Sequence, residues 1–483
     1  MLMTPILEYA PEPGELVEFR VPAAVLATTA TAPEHPAPPS YVQENHIWRR
    51  LANQIAGKRH SGWLGIVFDV PGRLDTGAMA TALDKWVRRH PTLLTWFDVE
   101  TVATGADTLP RLRRHALNPE TATLSPLLEP VSLGSYGSGS AVRDHLVKLF
   151  DNGTDPLRWP PFVAGAVVRD DGTASTVFFA VDHTHSDGFS VVLVFDELRT
   201  LYEAELSGIE AELPTAGSYV DYCALDRERS AAITVDSPEV RRWLEFYLAG
   251  PPPAFPLDIG VEPGKTYPSI PIEMDLLDTA EAEAFSKACK ARGAGFSAGL
   301  LAALALSGYE LGGHESYRGL TVVHTRDEAR WQYTQGWFIN LAPVEFPVGE
   351  RPFSQVVGDA QRAFEGAREL ARVSPLRVAE LMPGLSATVQ SDAAAVPPMT
   401  SYIDVRHAPG AKDWAAANCN ALVGPGDSRE VPVWVNRLWD RTYLKTRYPD
   451  TEAARVNVPR FFGHLRDVLR EVARTGEYGT GGA

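Results

Sequence analysis

The sequence predicts an α+β protein built from two domains, on three observations. Its 483 residues exceed what one hydrophobic core ordinarily organises. Runs rich in β-branched and aromatic residues alternate with segments of helical periodicity, and two such runs flank an Asp-Gly turn, which makes the strands antiparallel. The second half repeats the order of elements seen in the first, although no short internal repeat is present.

The elements follow in order. Residues 1–39 read as an extended N-terminal segment, proline-rich from Thr31 to Pro39. Ser40 is placed to cap a helix running to Gln54. A strand is predicted over Gly62–Val70. A helix follows from Asp75 to Arg89, with Asp75 as its cap, Leu83, Trp86 and Val87 on its apolar face, and His90-Pro91 as its stop. Thr92–Val99 reads as a second strand. Phe162–Val168 and Ser175–Val181 form a hairpin around Asp170-Asp171-Gly172. A helix follows with Val191, Val192, Val194, Phe195, Leu198, Leu201 and Tyr202 at helical spacing. A polar stretch from Ser207 to Ser237 links the halves, with local order at Ser218–Tyr222. Further helices are predicted at Pro238–Ala249, Thr279–Arg292, Ser297–Leu311, Phe353–Ala371, Leu376–Leu381 and Thr451–Thr475. Pro251-Pro252-Pro253 separates the first two of these. Strands are predicted at Gly319–His324 and Val344–Phe346, and a hairpin joins Val431–Leu438 to Tyr443–Tyr448. Gly476–Ala483 reads as a frayed tail. The domain division is therefore 1–39 as the N-terminal segment, 40–215 as the first lobe, 216–240 as a linker and 241–483 as the second lobe.

Composition narrows the function. Hydrophobic residues at 45% and charged residues at 22% are those of a soluble globular protein. No apolar window is long enough for a transmembrane helix, and Met1–Tyr9 lacks the basic and apolar regions of a signal peptide. A cytoplasmic location is expected, or one peripheral to a membrane. A formal net charge of -16 argues against nucleic acid as a partner. Small basic clusters at Lys58-Arg59, Arg88-Arg89 and Arg111 with Arg113-Arg114 read as solvated faces or as contacts to a phosphorylated ligand. Cys223, Cys289 and Cys419 are widely spaced, which suggests neither a disulfide framework nor a zinc site, and no metal is expected.

The most informative segment is His183-Thr184-His185-Ser186-Asp187-Gly188, an H-x-x-x-D-G pattern between the buried strand and the following helix. A histidine there is held still by rigid elements on both sides, as a general base requires. The alternative is a core histidine followed by an Asp-Gly turn. His185 shares a face with His183 if the segment stays extended. Gly188 suits a tight turn or a close approach of backbone to substrate. The N–H groups entering the helix after it are placed to stabilise an oxyanion. No G-x-S-x-G elbow occurs, which weighs against an α/β-hydrolase.

Three motifs in register carry a resemblance. Arg89-His90-Pro91-Thr92-Leu93-Leu94-Thr95-Trp96-Phe97 resembles the R-H-x-x-L-R-T-x-F segment of the condensation-domain superfamily, which also includes chloramphenicol acetyltransferase. His183 to Gly188 resembles the end of its H-H-x-x-x-D-G motif, and Gly336-Trp337-Phe338-Ile339-Asn340 resembles its G-x-F-x-N segment. Within the superfamily, Ser40–His46, Gly336–Phe338 and Ser401–Arg406 are most similar to the polyketide-associated (Pap) acyltransferases of actinobacteria. The resemblance implies two chloramphenicol-acetyltransferase-like lobes in a V-shaped pseudo-dimer, with the active-site tunnel between them and His183 near its middle.

It also implies a thioester-dependent acyltransferase with no bound cofactor. A fatty or polyketide acyl group would move from coenzyme A, or from the phosphopantetheine of a carrier protein, to a hydroxyl of a trehalose-like sugar, a lipid or a polyketide. His183 would take the acceptor's proton in a direct ternary complex. Two other readings share these residues: a free-standing condensation enzyme forming an amide, and a catalytically silent binding protein. In relatives the motif aspartate pairs with an arginine, and Arg326 is the partner implied for Asp187. Asn340, Trp337 and His185 are candidate substrate contacts, with core packing as the other reading for Trp337 and a loop histidine without a role as the other reading for His185. Three features depart from the pattern: Asp182 stands for the first histidine of the pair, Leu94 for an arginine, and the late D-F-G-W-G motif has only Asp404-Val405-Arg406 near its place. Activity is expected to fall at acid pH as His183 is protonated, a profile flat from about pH 5 to 8 counting against His183 as base.

Overall fold

The strand that delivers His183, Ala174–Asp182, is buried along almost its whole length because both of its faces are covered. It pairs antiparallel with Trp63–Pro71 on one side and Phe162–Arg169 on the other. Against one face, the Gly139–Gly153 helix packs Val142, Leu146 and Phe150 onto Trp63 and Phe178. Against the other, Phe195 of the Gly188–Ser207 helix meets Phe68, and Trp86 of the Thr76–Arg89 helix meets Phe179. Double coverage is why the strand reads as a continuous apolar run rather than an alternating one.

These contacts come from a computed structural model that describes residues 2–58, 61–104, 107–118, 126–250, 253–382 and 398–480. Arg59, Pro251, Pro252 and the last three residues of the expected tail lie outside the described residues. The chain divides into two compact units, each built among the described residues on a sheet of seven strands with helices, so it is an α+β protein of two sheet-rich lobes.

The first unit comprises Met1–Arg229, Arg326–Phe338 and Ala408–Pro425. Its large sheet runs in the order Leu2–Pro5, Asn420–Val423, Trp63–Pro71, Ala174–Asp182, Phe162–Arg169, Gly14–Arg20, Glu129–Tyr136. A smaller sheet joins Glu34–His35, Asp107–Ala116 and Thr95–Thr104. The second unit comprises Ser230–Thr325, Ile339–His407 and Gly426–Ala483. Its sheet order is Ile339–Pro347, Ser316–His324, Met399–Asp404, Val433–Arg437, Arg441–Pro449, Tyr267–Asp278, Asp427–Ser428. Its core is organised by the Phe296–Gly312 helix, which is apolar on every side and buried accordingly. At Gly299 that helix comes so close to its neighbour that an added Cβ would lie 2.3 Å from Cys289 Sγ.

Most expected helices appear with their expected caps. Ser40 closes a reciprocal capping box with Gln43 at the start of Tyr41–Ile55, and Asp75 accepts from the N–H of Ala78. Four expectations need correction. Residues 1–39 are not merely extended: Leu2–Pro5 pairs with Asn420–Val423, Gly14–Arg20 is an inner strand, and Ala23–Ala27 is helical. The continuous division at 216–240 fails because strand pairing and the Asp187 carboxylate draw residues 326–338 and 408–425 into the first unit. The polar stretch within that linker holds the Tyr219–Ala231 helix, whose Tyr219, Tyr222 and Cys223 pack on Trp331 and Phe338. The tail beyond Gly476 is docked, since Tyr478 bonds Glu310 through its hydroxyl (2.6 Å) and Phe353 N–H through its carbonyl (2.8 Å).

Candidate active site

The site is built where the Ala174–Asp182 strand ends. Asp182 caps a short 3₁₀ turn, His183–His185, by accepting from the Thr184 N–H at 2.9 Å and the Thr184 hydroxyl at 2.7 Å. Gln43 donates to the Thr184 carbonyl at 2.7 Å, and the His183 N–H donates to Gly62 at 2.8 Å. The turn is therefore fixed from its own strand, from the Tyr41–Ile55 helix and from the neighbouring strand's entry.

His183 is half-buried, with Nδ1 enclosed. The Trp337 ring lies against the imidazole at 3.8 Å between centroids, tilted by 34°. Burial pushes the His183 pKa down to about 4, and the nearby His46 adds to that. Its own carbonyl and the carboxylates of Asp182 and Asp187 act the other way. The ring is thus neutral through the ordinary working range.

Asp187 caps the Gly188–Ser207 helix by accepting from the Ser190 N–H at 2.6 Å. Its other oxygen accepts from the Phe338 N–H at 2.9 Å. Arg326 reaches the same carboxylate at 3.3 Å and also donates to the carbonyls of Trp331 (2.6 Å) and Thr334 (2.7 Å) and to the Ser190 hydroxyl (2.6 Å). Both partners are buried, at 3% and 4% side-chain exposure. Ser190 in turn donates to the Gly336 carbonyl, and Gln335 donates to the Ser190 carbonyl. This network binds the segment 326–338 to the helix that follows the motif, and so sets Trp337 against His183. Gly336 permits it, because a Cβ there would lie 2.2 Å from the Tyr219 ring.

Other sequence candidates fall elsewhere. His185 does not share a face with His183, because the segment turns at His183 instead of remaining extended. His185 is buried beside Phe97, accepts or shares a proton with Thr92 at 3.1 Å, and is pushed down to about 3 by burial. Gly188 is exposed in the first turn of its helix and is not among the glycines with left-handed backbone, so it provides no tight turn. Asn340 lies in the second unit with its side-chain amide donating to the Ala371 carbonyl at 2.8 Å. The basic clusters are largely internal pairs: Arg88 with Asp84, Arg89 with Glu197, Arg111 with Glu100, Arg113 with Asp98. Arg114 is buried against the carbonyls of Ala37 and Pro38. The three cysteines are free and buried. Among the described residues no helix is long and apolar enough to cross a membrane.

Sequence reasoning missed the partners of Asp182. His46 stands 3.4 Å and Arg50 3.1 Å from its carboxylate, and together they hold its pKa at about 2 although burial pushes it up. A signal existed: a carboxylate closing an apolar strand needs a cation, and His46 and Arg50 are spaced i, i+4 on one helix face.

Residues 153–374 match the Condensation domain family. The chain is 30% identical over 478 residues to the acyltransferase PapA3 of Mycobacterium tuberculosis (strain CDC 1551 / Oshkosh), covering 97% of this chain and 96% of that protein. It is 31% identical over 484 residues to the 2'-acyl-2-O-sulfo-trehalose (hydroxy)phthioceranyltransferase PapA1 of Mycobacterium bovis (strain BCG / Pasteur 1173P2), covering 98% and 89%. Among solved structures, a PapA2 acyl transferase superposes with a TM-score of 0.84 at 28% identity, over 98% of this chain and 100% of that one.

Proposed function

The chain belongs to the Pap acyltransferases of the condensation-domain family, and on that premise we propose that it transfers a long acyl group from a thioester to a hydroxyl of a trehalose-type sugar. The observation that carries the catalytic reading is the fixed, half-buried His183 with its Nδ1 enclosed. With Nδ1 sealed, a reactant meets the ring at Nε2.

In this reading Nε2 accepts the proton of the acceptor hydroxyl while the oxygen attacks the thioester carbonyl. A carbon–oxygen bond forms, the carbon–sulfur bond breaks, and the proton passes from His183 to the departing thiolate. No enzyme nucleophile is required, since the thioester is already activated. The tetrahedral oxyanion faces the start of the Gly188–Ser207 helix. There the N–H groups of Ser190 and Val191 are already engaged by Asp187, so in this reading those of Gly188 and Phe189 are left to stabilise it. Asp187 and Arg326 do no proton transfer; they hold the helix and Trp337 in place around the base.

The donor is acyl-coenzyme A or an acyl carrier protein. The acceptor class is suggested by PapA1, whose name specifies an acylated sulfo-trehalose. The test is mass spectrometry of reactions containing palmitoyl-coenzyme A with trehalose or trehalose-2-sulfate, repeated with a palmitoyl-loaded carrier protein. A sugar ester whose formation requires His183 supports the proposal. Ester formation that persists in His183→Ala overturns the role given to His183, and esters formed only on non-sugar alcohols overturn the acceptor.

A further inference from the structure

The first histidine of the paired motif is replaced by Asp182, and the structure shows what the replacement brings with it. Asp182 is fully buried at the end of its strand, directly before the base. Its carboxylate faces His46 and Arg50 of the Tyr41–Ile55 helix. The His46 ring lies 5.9 Å from the His183 ring and meets the Trp337 ring edge-on at 5.4 Å, so His46 and Trp337 both border the base. His46 is 8% exposed, so little water screens its effect on its neighbours.

We infer that His46, ion-paired with Asp182, is a positioning residue for the transfer: it braces the His183 turn and favours the neutral, proton-accepting form of His183. This inference rests on His183 being the base. Positive charge carried by His46 against the Asp182 carboxylate would lie beside His183, where a second positive charge is disfavoured. After burial, the nearness of His46 is what lowers the His183 pKa. The other charged groups that act on His183 are Asp182 from its own strand and Asp187 from the following helix, both favouring protonation. Arg50, on the helix with His46, and Arg326, on the segment that carries Trp337, each neutralise one of these carboxylates. The pair therefore has two effects. Asp182 fixes the turn through Thr184, and His46 offsets the charge that Asp182 places next to the base.

The test compares the full-length protein with His46→Gln, which keeps a hydrogen-bonding side chain but no charge, and His46→Lys, which restores the cation. Two readouts are taken: the acid limb of kcat/KM against pH, and the His183 ring titration by NMR of histidine-labelled protein, assigned with His183→Asn. Circular dichroism at each pH defines the folded range. Removing a cation about 6 Å away raises the His183 pKa, so the expected limb in His46→Gln moves up by about half to one pH unit. On the acid side of the limb that is roughly a three- to tenfold loss of kcat/KM, while the neutral plateau changes less. His46→Lys returns the limb toward its original position. A His183 titration unmoved in His46→Gln, or moved equally in both variants, overturns the inference. A ring titration that moves while the rate limb does not would uphold the electrostatic role of His46 and instead overturn His183 as the base.

Discussion

Replacing Arg326 by methionine tests whether the buried ion pair organises the site. Methionine keeps much of the side-chain volume, so the change removes the charge and its donors with little new cavity. The loss includes four hydrogen-bond partners: the Asp187 carboxylate, the Ser190 hydroxyl and the carbonyls of Trp331 and Thr334. Breaking a buried pair from one side costs about 3–5 kcal/mol, because the remaining charge stays buried. Asp187 retains two N–H donors, from Ser190 and Phe338, which places the expected cost near the lower end, about 3 kcal/mol. For a unit of this size that corresponds to a fall in Tm of roughly 6–12 °C. Differential scanning calorimetry measures it, and hydrogen exchange should localise the loss to residues 326–338. The double variant Asp187→Asn with Arg326→Met removes both charges and should be more stable than the sum of the single losses predicts. A Tm for Arg326→Met within about 2 °C of the unaltered protein, or strictly additive losses, would refute this account.

Further predictions concern the base and its surroundings. With acyl transfer as the readout, kcat/KM should be flat above about pH 5 and fall as the pH drops through about 4, since His183 must be unprotonated to accept a proton; a limb near 6.5 would mean that burial does not depress this ring. Gly336→Ala forces a Cβ onto the Tyr219 ring and should cost roughly 1–3 kcal/mol in thermal unfolding while lowering kcat through displacement of Trp337; unchanged stability and rate would show that the segment yields freely. Asp182→Ala strips the cap from the His183 turn and leaves Arg50 and His46 without their carboxylate, so it should lose more stability than Asp182→Asn; equal losses by chemical denaturation would contradict the cap. His185→Gln should lower Tm more than it lowers kcat/KM, because His185 packs in the core beside Thr92 and Phe97; a selective collapse of kcat/KM would return it to the site.

Much of this was legible in the sequence, and the parts that were not share a physical cause. Helices such as Thr76–Arg89 and Phe353–Leu370 show their caps and periodicity within a single window. The strand that leads into His183 is marked by its apolar run and the Asp-Gly turn before it. What a local window does not contain is long-range pairing. Asn420–Val423 joins the first unit only because it lies between Leu2–Pro5 and Trp63–Pro71, and no feature of those four residues states their partners. The resemblance pointed to Arg326 as the partner of Asp187, and the structure brings the two together. Composition and spacing alone would not have linked residues separated by 139 positions. The shared face of His183 and His185 depends on extended backbone, and the cap by Asp182 turns the chain at His183 instead. The depressed His183 pKa was also hidden, since burial and the proximity of His46 exist only in the folded chain.

The central claim is that His183 drives acyl transfer from a thioester. Free-thiol release from acyl-coenzyme A of graded chain length, and from acyl-loaded carrier protein, measures this most directly, with and without a trehalose-type acceptor. The account predicts acceptor-dependent release that falls by about 10²–10⁴-fold in His183→Ala while the variant remains folded. Acceptor-dependent release at the same rate in folded His183→Ala would contradict it.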